Sequence, residues 1–138
     1  MALRLLESAG CSPADVPVVS PPPGVIRFAE ERGFNMVVAN TEVDLLLALR
    51  PSYGRMQAQR WKVPRNLSWE QLVAHYGAQL GSDWKRDPHL PEQGSGYRRC
   101  IWRHDGGLFQ HASAFALAYL DTVPADFAVL IVAQSARD

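Results

Sequence analysis

Cysteine is nearly absent from this chain: two residues in 138. That excludes a disulfide-dense scaffold and every multi-cysteine zinc spacing. No apolar run approaches the ~20 residues that cross a bilayer as a helix, so no transmembrane helix is expected. Net charge is absent too, with 14 basic residues set against 14 acidic ones. A general nucleic-acid binder needs an excess of Lys and Arg to displace counterions, so no nucleic-acid partner is expected. The sequence has no glycine-rich phosphate loop, HExxH, GxSxG or CxxC. With them go the usual signatures of nucleotide, zinc-protease, serine-hydrolase and dithiol chemistry, and no cofactor or metal is implied.

What remains is the composition of a folded domain. Hydrophobic residues make up 47% and charged residues 20%, enough to build a core in a chain whose length suits one domain. The zero net charge hides a segregation. Residues 1–49 sum to −3, 50–104 to +6 and 105–138 to −3. A cationic middle between anionic ends either pairs internally, which is the simpler reading, or faces an acidic partner.

Residues 1–23 read as an arm ahead of a single domain at 24–138. The arm ends in a proline-rich stretch (Pro17, Pro21, Pro22, Pro23), which favours an extended, semi-rigid chain. Ala9-Gly10-Cys11, followed by Ser12-Pro13 and this stretch, resembles the lipobox and tether of bacterial lipoproteins. Glu7 and Ser8 depart from the apolar residues of that pattern. The resemblance implies lipidation at Cys11 and an envelope location. Without it the arm is an interaction segment of a cytoplasmic protein, and the compartment stays open.

Gly24 to Arg32 reads as a short helix stopped by Gly33, and Phe34–Ala39 as a strand. Thr41 then caps a helix that is apolar nearly all round (Val43, Leu45, Leu46, Leu47, Leu49) and ends at Pro51. Such a helix is buried on more than one side or lies at an interface. Residues 55–63 offer another strand. Ser68 opens the clearest helix: Ser68 and Gln71 make a capping box, and Trp69, Leu72, Val73, Tyr76 and Leu80 form one apolar stripe up to Gly81. Residues 82–96 are a loop by composition, of a length often functional or mobile, with Trp84 folding back on the preceding helix end.

Tyr97–Arg103 and Leu108–Leu120 flank an Asp105-Gly106 turn signal. A two-residue turn there pairs Trp102 with Phe109, Cys100 with His111 and Arg99 with Ala112. The alanine run within 112–120 suits strand or helix; the turn chemistry favours strand. Residues 127–132 have no polar face and need cover on both sides. The expected fold is therefore α+β: an antiparallel C-terminal meander covered by the amphipathic 69–80 helix and by a second helical layer or a second subunit. Helix 69–80 ending in Leu-Gly-Ser-Asp-Trp, followed by a Trp-bearing strand and meander, is similar in pattern to small bacterial envelope proteins.

Cys100 opposite His111 is the one candidate nucleophile–base pair, and would make the chain a small cysteine-dependent enzyme; buried core is the simpler reading. Tyr97, Arg99 and Arg103 share a strand face with alanine neighbours and, with Leu46 and Leu49 of the Leu-rich helix, are the candidate partner contacts. The leading expectation is a non-enzymatic binding or assembly module whose partner is a protein, a second copy of itself included. The alternatives are the cysteine enzyme and a small-molecule binder with a pocket under the 82–96 loop.

Overall fold

The computed structural model describes residues 16–28, 36–106, 112–123 and 125–136. Cys11, Gly33 and His111 lie outside the described residues. The elements are β1 (Ile26–Arg27), α1 (Met36–Tyr53), β2 (Met56–Pro64), α2 (Trp69–Leu80), β3 (Lys85–Arg86), β4 (Gln93–Gly94), β5 (Tyr97–His104), β6 (Ser113–Leu120) and β7 (Phe127–Ser135). The strands form one antiparallel sheet in the order β1-β2-β7-β6-β5-β3, with β4 also paired to β5. This is the expected α+β fold.

Each face of the sheet is covered by its own helix. Alternation along the strands separates two cores. Ile101, Ala114, Ala116, Ala118, Val129, Ile131 and Ala133 meet the inner side of α1 at Val38, Leu45 and Leu49. Cys100, Trp102, Phe115, Leu117, Ala128 and Leu130 meet α2 at Leu72, Tyr76 and Leu80. The strand without a polar face thus finds both covers within one chain. β6 is buried along its whole length, so the alanine run is strand, and its small side chains let α1 lie close to the sheet.

α2 forms as its local signals dictate. The Ser68 side chain accepts from the Gln71 amide at 3.1 Å, and the Gln71 side chain accepts from the Ser68 amide at 2.8 Å. Gly81, at φ +96°, lets the chain leave the helix. Trp84 is buried in the same core as Leu80, its amide bonded to the Gly81 carbonyl at 3.2 Å.

Four expectations are corrected by tertiary pairing. Residues 22–28 are a turn and an edge strand rather than a helix: the Val25 amide reaches the Pro22 carbonyl at 3.2 Å with Gly24 at φ +88°, the backbone a Pro-Gly type II turn requires. Ile26 and Arg27 then pair with Lys62 and Trp61. Met36–Ala39 belongs to α1 rather than a strand, because Val38 continues the inner line of Thr41, Leu45 and Leu49. Burial on that line outweighs the β preference of the Val pair. Thr41 is accordingly buried inside the helix, and Pro51 lies within its last turn. The chain leaves α1 only at Gly54, φ +71°.

The hairpin register differs as well. Trp102 pairs with Phe115, Cys100 with Leu117, Arg99 with Ala118 and Arg103 with Ala114, six positions from the register a two-residue Asp105-Gly106 turn imposes. Asp105 instead binds Arg103, from Nε at 3.0 Å and Nη2 at 2.6 Å. A slip of an even number of residues leaves every side chain on its expected face, which is why the two cores match the sequence reading while the individual pairs do not.

Residues 82–96 are not a free loop. They form a broken edge strand along β5. Lys85 and Arg86 pair with Arg103 and Trp102, the Asp87 amide donates to the Ile101 carbonyl at 2.9 Å, and the Arg99 amide donates to the Glu92 carbonyl at 2.9 Å. Gln93 and Gly94 pair with Arg98 and Tyr97.

Candidate interaction surface

α1 is tied to the sheet and to the edge segment beside it by three polar connections. On one flank Arg60 of β2 donates to Glu42 from Nε at 3.1 Å. On the other, Tyr97 Oη donates to Asp44 Oδ2 at 2.6 Å, and Arg99 Nη1 donates to Tyr97 Oη at 3.3 Å while its Nε holds the Pro91 carbonyl at 2.8 Å. At the C-terminal end Tyr53 Oη donates to Asp87 Oδ2, whose other oxygen accepts from the His89 amide at 2.7 Å. Burial would raise the Asp87 pKa, but the Tyr53 and His89 hydrogen bonds and the Arg103 charge outweigh it and hold the carboxyl below its ordinary range. Burial and the Asp44 hydrogen bond push Tyr97 up to about 12.

These bonds also settle the charge segregation. Arg60 and Arg99 of the cationic middle meet Glu42 and Asp44 of the anionic start. Arg65 donates to the carbonyls of Asp121, Val123 and Ala125 in the β6–β7 turn. The internal pairing is the one the fold uses.

With the inner face of α1 fixed, the outer face is fixed too. Met36, Val43 and Leu47 are 72%, 54% and 59% exposed. With Asn40 and Arg50, also exposed, they fall at spacings of four, three, four and three, the seam one helix offers to another. The helix is thus buried on one side only, and its second apolar side faces outward.

The sequence-derived contacts fare differently. Tyr97, Arg99 and Leu49 are buried at 3%, 7% and 0% exposure, inside the fold where no partner reaches them, because the alanine-lined face they share is the one α1 covers. Arg103 is half-buried, tied to Asp105 and lying over the Tyr53 ring at 6.0 Å. Leu46, half-buried, flanks the outer stripe. Met36, Val43 and Leu47 are the apolar residues of this exposed row, and the sequence reading misses them as a set: their spacing is present, but a strand over Phe34–Ala39 takes Met36 out of it and the leucines obscure the rest.

Cys100 is 1% exposed, packed among Trp102, Phe115 and Leu117. Burial pushes its thiol up to about 12, so the thiolate that nucleophilic chemistry requires does not form at neutral pH. Its cross-strand neighbour is Leu117, not His111. Among the described residues no three His, Cys, Asp or Glu side chains are grouped so as to hold a metal ion, and no helix is long and apolar enough to cross a membrane. Comparison with protein-family models, curated proteins and solved structures finds no match.

Proposed function

We propose that this chain is a non-enzymatic binding module that docks a protein partner on the outer face of α1. The observation that carries the reading is the exposure of Met36, Val43 and Leu47 at helix-seam spacing on a helix whose other side is fully engaged. Monomeric surfaces scatter single apolar residues; an aligned row on a rigid helix marks a contact site. The complementary surface is an amphipathic helix with an apolar stripe of matching spacing, a polar group opposite Asn40 and an acidic side chain opposite Arg50. A buried polar residue in such a seam specifies register, which suits a chosen partner over general stickiness.

The test places a photo-crosslinking amino acid at Val43 in the full chain, expressed in its native cell, with the exposed Ala74 of α2 as the control position. The expected result is one discrete adduct from position 43, absent from position 74 and lost on Leu47→Glu. An adduct of twice the chain mass identifies the partner as a second copy. Equal labelling at both positions refutes the reading. Because Leu47 is outward-facing, Leu47→Glu leaves thermal stability within about 0.5 kcal/mol.

A further inference from the structure

A second feature lies on the opposite side of the sheet, where the arm crosses the flank of α2. Its inward positions recur every third residue. Val16 and Val19 pack on the α2-side core and Pro22 is buried, while Val18 is 99% exposed. A repeat of three is that of a polyproline II helix, the conformation Pro17, Pro21, Pro22 and Pro23 favour. The wall facing the arm includes the rings of Trp61, Tyr76 and Phe115. Aromatic-lined grooves are where proline-rich segments of this conformation dock.

Gln79 of α2 supplies the polar half of the contact. Its Oε1 accepts from the Ser20 amide at 2.8 Å and its Nε2 donates to the Ser20 carbonyl at 2.9 Å, with His75 Nε2 donating to the same carbonyl at 2.7 Å. A polyproline II segment has no internal hydrogen bonds, so its peptide groups are open to such a clamp. All three bonds go to main-chain atoms. They fix register without reading the Ser20 side chain. The arm is nevertheless a loose occupant. None of residues 16–21 is buried, none pairs with a strand among the described residues, and a cleft of about 160 Å³ remains between arm and sheet. Contacts across such a gap are forfeited, so the arm is held by the clamp and two half-buried valines rather than by close packing.

We propose that the groove between α2 and strands β2 and β7 receives a polyproline II segment of a protein partner, and that the arm is its resident competitor. The segment presents two apolar residues three apart, a free peptide N–H directly after the second, and then proline. The arm shows the pattern in Val16, Val19, Ser20 and Pro21. Being tethered, it competes at an effective concentration of about millimolar, so the groove opens to a partner when the arm is drawn off. The site is separate from the α1 surface and stands if that reading fails.

The experiment measures, by fluorescence anisotropy, binding of a labelled peptide with the sequence of residues 16–23 to the full chain. The same peptide N-methylated at its serine is the comparison. Val19→Asp sets a charge against the aromatic wall and frees the groove, whereas Val18→Asp alters the exposed side of the arm. The peptide is expected to bind Val19→Asp about tenfold or more tightly than the unsubstituted chain, because a docked arm leaves the groove open only part of the time. Val18→Asp matches the unsubstituted chain. N-methylation removes the donor to Gln79 and weakens binding about fivefold, the worth of one hydrogen bond. Gln79→Ala, added to Val19→Asp, abolishes that difference. Thermal unfolding checks that Val19→Asp folds; if it does not, the two peptides are compared on the unsubstituted chain at millimolar concentration. The proposal is overturned by no saturable binding, by equal affinity for the unsubstituted and Val19→Asp chains, or by equal affinity of the two peptides.

Discussion

Removing one oxygen tests how α1 is anchored. Tyr53→Phe keeps the ring that Arg103 covers at 6.0 Å and deletes only the hydroxyl that donates to Asp87. Asp87 is 7% exposed, so the carboxylate keeps the His89 amide and loses a donor that water reaches poorly. A hydrogen bond to a charged group contributes about 1.5–3 kcal/mol. Unfolding entropy of about 2.1 cal/mol/K per residue over 138 residues converts this to a fall in Tm of roughly 5–10 °C at neutral pH. The dependence on pH has a defined sign. The folded carboxyl of Asp87 is held below its ordinary range, so its contribution is whole above the ordinary carboxylate pKa of about 3.9 and fades as the pH falls through the depressed value. Tyr53 is raised, by burial first and then by the Asp87 hydrogen bond. Its contribution is therefore whole below the ordinary tyrosine value of about 10 and fades above it. Thermal unfolding of both proteins across pH should show a gap flat between about 5 and 9 that narrows at both ends. A neutral-pH gap under about 1 °C, or one that widens in acid, refutes the argument that this bond secures the helix.

Two further outcomes follow from packing. Cys100 should resist a disulfide-exchange reagent at neutral pH and react only as the chain unfolds, since its thiol is buried and its pKa pushed up to about 12; labelling of the native protein within minutes contradicts that placement. Gly94→Ala sets a Cβ against the Tyr97 ring, the same ring that carries the Asp44 bond. It should cost about 2 kcal/mol or more by overpacking, seen as a lowered urea midpoint, whereas Gly81→Ala meets no atom and acts only through its positive φ.

What the sequence makes legible is what local chemistry decides. The Ser68–Gln71 capping box and the stripe from Trp69 to Leu80 need only a dozen consecutive residues to be read, and α2 has those bounds. The two-sided burial of β7 follows from its composition, and the face assignments of β5 and β6 survive a wrong register because side chains alternate with period two. The failures lie where distant residues decide. Whether Met36–Ala39 is strand or helix depends on Val38 finding the sheet. The short β1 exists because Trp61 and Lys62 wait beside it. The value of Arg99 changed from surface contact to buried strut once α1 covered it, and no pattern within β5 announces that cover. The docked arm was equally hidden: Gln79 and His75 look like solvated helix residues until Ser20 lies against them.

The interrupted strand at 85–94 has one more consequence. A sheet rim with unpaired peptide groups invites any other extended chain to add itself there. Along β5 that invitation is withdrawn: residues 85–87 and 92–94 occupy the rim, and Tyr53 and Arg99 fasten the detour between them through Asp87 and Pro91. Recruitment by strand addition at that rim would first have to evict a segment bonded at both ends to its neighbours. Other chains are turned away there, while the outward row of α1 stays open.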